Sequence, residues 1–271
     1  KFGGKVLEAL PQGLADAIAA EREAFDLGCL GPDPLFFYQP LRPNAVRREG
    51  VQMHRRSALP AAERLRQAVE EGQPQAVGYT AGFLCHLALD SACHGYVDER
   101  AAEGPISHMA MEGEYDRMLM EDDGLDPCGR AHLPAAPEDG AVWQAAARAF
   151  VHASPGQVRQ AYRAMTFLIG FLARSCGTKR GRVIGAVSHM LPIRSAKGIA
   201  LKEEPHPSAA ESNADLDRLL ERAVEETAEQ LGAFFRAVAA EEPVPAWFDR
   251  DFKGNPPHIP STLRWQEAHS A

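Results

Sequence analysis

The stretch GYTAGFLCHLALDSACHGYV, residues 78–97, decides how the fold is interpreted. Its apolar residues recur at the spacing of three and four that is typical of an amphipathic α-helix. It also holds His86, Asp90 and His94 at steps of four. Because an α-helix turns about 100° per residue, these three side chains share one stripe about 80° wide. The stretch therefore predicts a helix with a polar stripe among apolar neighbours.

A second stretch, HMAMEGEYD at residues 108–116, repeats the pattern with His108, Glu112 and Asp116. Apolar residues surround both stripes, which predicts that the stripes face the protein interior. Burying so many ionisable groups without partners would cost several kcal/mol each. A divalent cation would neutralise them, and zinc accepts both carboxylates and neutral imidazoles as ligands. The two stretches together predict a metal site, with Asp116 either a direct ligand or a partner of one.

Simpler explanations compete with metal binding. A single His-x-x-x-Asp pair is more often a hydrogen-bonded or solvated pair on a helix. Charge runs are usually solvated faces, and Glu114 and Arg117 are assigned to such a face. Cys85 and Cys93 could offer thiolates, although a small buried apolar role is favoured for both. Two histidine–carboxylate motifs within residues 86–116 favour a metal site over these explanations.

Asp33 and His54 would extend the site beyond the two helices. Asp33 lies between Pro32 and Pro34, so a rigid turn would hold its carboxylate. His54 follows in GVQMHRR, residues 50–56. Taken singly, Asp33 is interpreted as a helix cap and His54 as a surface residue. Their joint presence with the two stripes predicts a polynuclear site.

The rest of the chain has helical apolar spacing almost everywhere, and no convincing alternating strand or internal repeat. Helices are predicted near 3–26, 60–71, 75–94, 106–121, 140–152, 155–175 and 212–241. Proline and glycine clusters predict loops at 31–44, 124–140, 177–187, 191–208 and 254–261. We expect one all-α domain over residues 1–271, with a metal-site half at about 1–121 and a C-terminal helical half at about 140–241.

The amino-acid composition and charge of the chain argue against some classes of binding partner. The chain is 45% apolar and 24% charged, with a formal net charge of −8. The acidic balance argues against bulk nucleic-acid binding, so a partner with a phosphate group would need a local cationic centre. No stretch approaches ~18 uninterrupted apolar residues, so no membrane span is expected. The composition gives no indication of the oligomeric state.

The cysteines and the first residues bear on the compartment. The chain has 5 cysteines at irregular spacing, which predicts reduced thiols rather than a disulfide framework. Residues 1–5 do not form a basic head before an apolar secretory segment. The chain begins without methionine, so residues upstream are to be expected. A cytoplasmic protein is predicted.

Four ordered motifs carry a resemblance to a known family. They are LGPDPLFFY at 30–38, MH at 53–54, GYTAGFLCHLALDSACHGYV at 78–97 and HMAMEGEYD at 108–116, with a weaker match in HPSAAESNADLDRLLERA at 206–223. In this order they resemble the zinc-dependent phospholipase C family, in particular its many uncharacterised bacterial members. The resemblance implies an all-α phospholipase C-like fold with up to three zinc ions between helices.

The resemblance also implies ligand sets. Asp33, His54, His86 and Asp90 would bind one ion, with Asp90 bridging to a second, and His94, His108 and Glu112 would bind a third. The family enzyme also uses its amino-terminal residue and a nearby histidine, and neither has a counterpart before His54. The site would therefore hold two or three ions, zinc being expected and other divalent metals remaining open.

The predicted function is hydrolysis of phosphodiester bonds in phospholipid headgroups or other small phosphodiesters, with zinc as the catalytic metal. Asp33 is the candidate to orient or deprotonate the attacking water. Two alternatives remain open. The chain could be a phosphoesterase of the single-strand nuclease type, or a non-catalytic helical protein in which metal ions only hold the helices together.

Overall fold

The computed structural model describes residues 1–190 and 201–256, with the side chains of 185–190 excepted. Within these residues the chain forms eleven α-helices and no strand, which confirms the all-α prediction. The helices are α1 (Phe2–Ala9), α2 (Gln12–Ala19), α3 (Arg22–Gly28), α4 (Ala45–Met53), α5 (Leu59–Glu70), α6 (Ala76–Glu103), α7 (His108–Asp122), α8 (Gly140–Ala147), α9 (Pro155–Ala173), α10 (Lys179–Met190) and α11 (Ala209–Ala239). Two short 3-10 helices, Asp33–Phe37 and Ala246–Phe248, complete the described part.

The predicted helices correspond to observed ones with three differences. The segment 3–26 is not one helix, because Pro11 separates α1 from α2 and a turn before Arg22 separates α2 from α3. Helix α4 covers residues for which the sequence predicted no helix. The loop predicted at 177–187 is wrong, since α10 covers most of it. Parts of the loops predicted at 191–208 and 254–261, namely 191–200 and 257–261, lie outside the described residues.

The chain forms two compact units by its internal contacts. Of the described residues, the first unit contains 1–94, 134–164 and 220–256, and the second contains 95–133, 165–190 and 201–219. The prediction of a single domain stays a prediction. Among the described residues, no helix is both long enough and apolar enough to cross a membrane.

In the first unit, the start of α6 packs unusually close to α3. A Cβ atom at Gly82 would lie 2.1 Å from the carbonyl oxygen of Phe25, so only glycine allows the two backbones to approach this closely. The Glu21 carboxylate, just before α3, accepts hydrogen bonds from the backbone N–H groups of Gln75 (3.0 Å) and Gly78 (2.7 Å) at the start of α6. These contacts fix the position of α6 relative to α3 and its following turn.

The C-terminal segment of the first unit returns to α6 and the residues after α4. The backbone N–H of Ala58 donates to the Arg250 carbonyl at 2.8 Å, and the Ser57 hydroxyl donates to Asp249 at 2.5 Å. Phe252 is fully buried, and the centroid of its ring lies 4.8 Å from that of the His54 ring and 5.6 Å from that of the His86 ring. The segment therefore supplies an apolar wall to both imidazoles.

In the second unit, two features correct the sequence predictions. Glu114 and Arg117 do not form a solvated face, because both are buried and pair at 2.9 Å. The Arg117 guanidinium also donates hydrogen bonds to the backbone carbonyls of Lys202 and Glu203, so its N–H groups have partners although the side chain is buried. Glu114 therefore stabilises the buried face of α7 through its ion pair with Arg117.

The second correction concerns the cysteines. Cys128 and Cys176 form a disulfide, with their Cα atoms 5.3 Å apart, so the prediction of reduced thiols is wrong for this pair. Cys29, Cys85 and Cys93 are free thiols. The pairing joins residues 48 apart in the chain and cross-links the second unit.

Candidate metal centre

The first unit brings four of the predicted ligands together. Donor atoms of Asp33, His54 and His86 all lie within 4.8 Å of one another. Asp33 begins the 3-10 helix after Pro32, and Pro34 follows it, so the turn has the rigid backbone that the sequence predicted. His54 is the C-cap residue directly after α4, and His86 lies within α6. We call these three residues and Asp90 the Asp90 group.

Asp90 is the common neighbour of the imidazoles in this group. Its Oδ2 atom lies 3.4 Å from His86 Nε2, 3.6 Å from His94 Nε2 and 4.0 Å from His54 Nε2. Asp33 Oδ1 lies 3.0 Å from His54 Nε2 and 4.0 Å from His86 Nε2. Nitrogen and carboxylate donors from three separate segments thus converge within a few ångströms.

The other nitrogen of two of these rings faces a backbone carbonyl. Nδ1 of His54 lies 2.9 Å from the Gly50 carbonyl oxygen, and Nδ1 of His86 lies 3.3 Å from that of Cys29. A carbonyl only accepts hydrogen bonds, so each Nδ1 carries a proton, and Nε2, which faces the carboxylates, is the nitrogen that a metal ion would take. Metal-binding histidines are commonly oriented in this way by a hydrogen bond from their second nitrogen.

Gly31 lies directly against the His86 ring. Its φ is +52°, and a Cβ atom there would lie 2.2 Å from Cδ2 and 2.7 Å from Nε2 of His86. Phe36 and Phe252 lie against the His54 ring, with centroids 5.0 and 4.8 Å away. The two imidazoles are therefore fixed by packing as well as by hydrogen bonds.

The charges of the group depend on one another. Burial lowers the pKa of His86, but Asp90 and Asp33 more than offset this and raise it to about 9. Burial raises the pKa of Asp90, but the surrounding histidines, His86 first, hold it well below its usual range. Asp90 is thus an anion that needs nearby positive charge.

The Asp90 group fits a zinc ion. His86 Nε2 is buried and has no hydrogen-bond partner of good geometry among the described residues, so one strong polar group is left without its usual partner. Two imidazoles and two carboxylates are a donor set that zinc accepts. Protein groups alone leave the set incompletely paired, and a cation coordinated by the four donors would pair it.

The second unit holds another pair of predicted ligands, together with a residue that the sequence interpretation missed. Nε2 of His108 lies 3.0 Å from Glu112 Oε1, one turn along α7, and Nδ1 lies 3.1 Å from Asp98 Oδ1 on α6. Burial lowers the pKa of His108, but hydrogen bonds to Asp98 and Glu112 raise it to about 10. Asp98 lies one residue beyond the quoted stretch 78–97, four residues after His94 on α6, so continuing the four-residue step once more is the signal that could have revealed it.

The remaining candidates fall into three cases. His94 lies one turn after Asp90 on α6, and its sharing of an ion with His108 stays a prediction. Asp116 is exposed on α7. Cys85 and Cys93 are buried, and burial raises the pKa of the Cys85 thiol well above its usual range, which disfavours a thiolate there.

These observations agree with a comparison of the sequence with known protein families. Residues 1–171 match the model of the family described as zinc-dependent phospholipase C. The chain belongs to this family. All seven predicted ligands lie within the matched range of this zinc-dependent phospholipase C-type protein. No curated protein and no solved structure matches the chain.

Proposed function

We propose that this family member hydrolyses the headgroup phosphodiester of phospholipids with zinc as its metal. The observation that carries the proposal is the convergence of Asp33, His54 and His86 with Asp90, in which a buried imidazole nitrogen has no hydrogen-bond partner among the described residues. Membership of a zinc-dependent phospholipase family supplies the reaction class. We further propose that residues 1–271 work as one catalytic domain.

The four donors of the Asp90 group would hold one zinc ion. Zinc, when bound, supplies Lewis-acid activation of the phosphodiester and lowers the pKa of a water molecule. Asp90 is proposed to be the bridging carboxylate, because its oxygen faces three imidazole nitrogens. We keep the sequence-based proposal that His94, His108 and Glu112 hold another ion, which gives two or three ions in total.

Asp33 is proposed to be the catalytic base as well as a ligand. Its side chain is 42% exposed, whereas that of Asp90 is 16% exposed, so Asp33 is the carboxylate of the group that water can reach. Its Oδ1 is 3.0 Å from His54 Nε2, which would hold the carboxylate at the edge of the site. From there it can orient the attacking water and accept its proton.

Asp98 is proposed to position His108. A carboxylate that accepts a hydrogen bond from Nδ1 fixes the ring and makes Nε2 a better metal donor. The distance of 3.1 Å between Asp98 Oδ1 and His108 Nδ1 supports this role. Asp98 would then affect metal affinity through His108.

The proposed compartment differs from the one that composition predicted. Disulfides persist in oxidising compartments and are rare in the cytoplasm. The bond between Cys128 and Cys176 therefore favours an oxidising compartment over the predicted cytoplasm.

The function is tested by removing and restoring zinc. The protein is stripped with a chelator, reloaded with zinc, and assayed on a short-chain phospholipid, on a chromogenic phosphodiester and on single-stranded DNA. We expect zinc-dependent release of the phosphorylated headgroup. Preferred cleavage of DNA would support the nuclease alternative instead, and tightly held zinc with no hydrolysis of any substrate would support the non-catalytic one.

Two variants separate the roles within the Asp90 group. Asp90→Asn removes a charged ligand, so zinc content and activity should fall together. Asp33→Asn should retain most of the zinc while it loses about 10²–10⁴-fold in rate, the usual contribution of a general base. Parallel loss of zinc and rate in Asp33→Asn would make Asp33 a ligand only.

A further inference from the structure

A basic surface with exposed apolar side chains lies beside the Asp90 group in the first unit. Residues 41–56 contain five arginines and a single acidic residue, Glu49, in a chain whose net charge is −8. The five arginines, all exposed, are Arg42, Arg47, Arg48, Arg55 and Arg56. The last two follow His54 directly in the chain. We call the exposed residues of 41–56, together with Val151, the arginine surface.

The single acidic residue does not neutralise this surface. Glu49 is buried, and its carboxylate accepts hydrogen bonds from the backbone N–H groups of Val151 (2.5 Å) and His152 (2.8 Å). Throughout the described part of the chain, none of the five guanidinium groups lies within 4.0 Å of a carboxylate oxygen. Their positive charge is therefore available to an external anion.

The faces of α4 explain why the arginines are exposed. Val46, Glu49 and Gly50 are buried, while Arg47, Arg48 and Val51 lie on the opposite face. Arg55 is exposed in the turn after α4, directly after His54. The surface thus alternates guanidinium groups with an exposed apolar side chain.

Apolar side chains of this surface are unusually open to solvent. Leu41 is 96% exposed, Val151 is 66% exposed and Val51 is 39% exposed. Val151 lies beside α4 because its N–H bonds to Glu49. These three are most of the large hydrophobic side chains that the described residues expose. Exposed apolar side chains interspersed with basic ones are the composition of a surface that binds a membrane interface.

The loop that carries Leu41 is held in place. Asn44 caps α4 by accepting a hydrogen bond from the Arg47 N–H at 2.8 Å, and its amide donates to the carbonyls of Tyr38 and Arg42. The Arg47 guanidinium donates to the Pro40 carbonyl at 2.9 Å. Leu41 is therefore presented to solvent by a loop tied at both sides, at little further cost in conformational entropy on binding.

We propose that the arginine surface docks the protein on an anionic phospholipid bilayer. Arginines attract the negative headgroup layer, and Leu41 with Val51 and Val151 would enter the interface, as the apolar face of a peripheral membrane protein does. The charge complementarity and the exposed apolar side chains favour a membrane over a nucleic acid, which offers no apolar phase. This inference rests on the proposed phospholipid substrate, since docking would bring headgroups to the adjacent metal centre.

Vesicle sedimentation tests the proposal independently of catalysis. The zinc-loaded protein is mixed with vesicles of phosphatidylcholine, with and without phosphatidylglycerol, and the bound fraction is measured. We expect stronger binding to the anionic vesicles, weakened by salt. The double variant Arg42→Gln/Arg48→Gln should bind them about 25-fold more weakly, about fivefold for each arginine. Leu41→Asn should weaken binding to both kinds of vesicle.

A matched control uses two exposed arginines of α11, Arg222 and Arg236, in the same unit. Arg222→Gln/Arg236→Gln makes the same charge change and should bind vesicles like the native protein. Hydrolysis of a dispersed short-chain phospholipid should be unchanged in Arg42→Gln/Arg48→Gln, which shows that the variant is folded. If the native protein binds anionic vesicles without hydrolysing this substrate, the proposed function fails while the docking surface stands.

Three results would overturn the docking surface. The first is equal binding of the native protein to neutral and anionic vesicles. The second is native-like binding by Arg42→Gln/Arg48→Gln, or equal losses in both double variants. The third is binding to single-stranded DNA, lost in Arg42→Gln/Arg48→Gln, without vesicle binding, which would reassign the surface to a nucleic acid.

Discussion

Replacing Gly31 by alanine should damage the metal centre without removing any ligand. The new Cβ atom would lie 2.2 Å from His86 Cδ2, whereas ordinary contacts begin at 3.4 Å. The ring would therefore have to move by about 1.2 Å, and misplacements of about 1 Å at a reacting centre can cost about 10²-fold in rate. The ring cannot turn aside freely because its Nδ1 is held by the Cys29 carbonyl.

Two effects of Gly31→Ala must be separated. The φ of +52° strains any residue with a Cβ, which should lower the free energy of unfolding by about 1–2 kcal/mol. Displacement of His86 should lower zinc affinity by about 10–100-fold, the usual effect of disturbing the groups that orient a ligand. Only the second effect depends on the metal centre.

Gly72→Ala is the matched control for this prediction. Gly72 has a φ of +63°, but a Cβ atom there would meet nothing within 4 Å. It should lose stability like Gly31→Ala and keep native zinc affinity. Zinc affinity is measured by competition with a chromophoric chelator, and stability by urea unfolding of the zinc-free protein. Equal zinc affinities for the two variants would refute the claim that Gly31 positions His86.

Other predictions concern single groups. Asp98→Asn should lower zinc affinity about 10–100-fold in chelator competition, with little change in the melting temperature of the zinc-free protein, because it removes the carboxylate that orients His108; unchanged affinity would contradict that role. Zinc affinity should rise with pH up to about 9, since zinc must displace a proton from His86, whose pKa without metal is about 9; a flat profile between pH 6 and 9 would argue against His86 as a ligand. The stability of the zinc-free protein should change with pH in the opposite direction. A raised His86 pKa contributes stability that is complete below pH 6.5 and is lost as pH rises through about 9. Urea unfolding at several pH values checks this. Cys128→Ser/Cys176→Ser should cost about 2–4 kcal/mol in urea unfolding, and native-like stability would mean that the bond is not formed in solution.

The local parts of the fold and site could be predicted from the sequence. The helix around residues 78–97 follows from apolar spacing, and a four-residue step is enough to set His86 beside Asp90 on it. The rigid turn at Asp33 follows from its two prolines. Each of these predictions needs only the geometry of neighbouring residues.

The parts that could not be predicted depend on contacts between distant segments. Charge patterns cannot tell which face of α7 is covered, so Glu114 and Arg117 were wrongly assigned to the surface. The disulfide joins cysteines 48 residues apart, and nothing in their spacing selects that pair. Phe252 follows His54 by nearly two hundred residues, so its contact with the imidazole ring depends on the tertiary fold.

The position of Phe252 matters for anyone who shortens this protein. A fragment cut at residue 171, where the family match ends, would keep every proposed ligand and still lose the aromatic ring that covers His54 and His86. It would also lose the segment at Asp249 and Arg250 that ties down the turn after His54. Such a fragment would leave two imidazoles open to bulk water. A recombinant boundary chosen from family homology alone would therefore remove a segment that covers the proposed metal site.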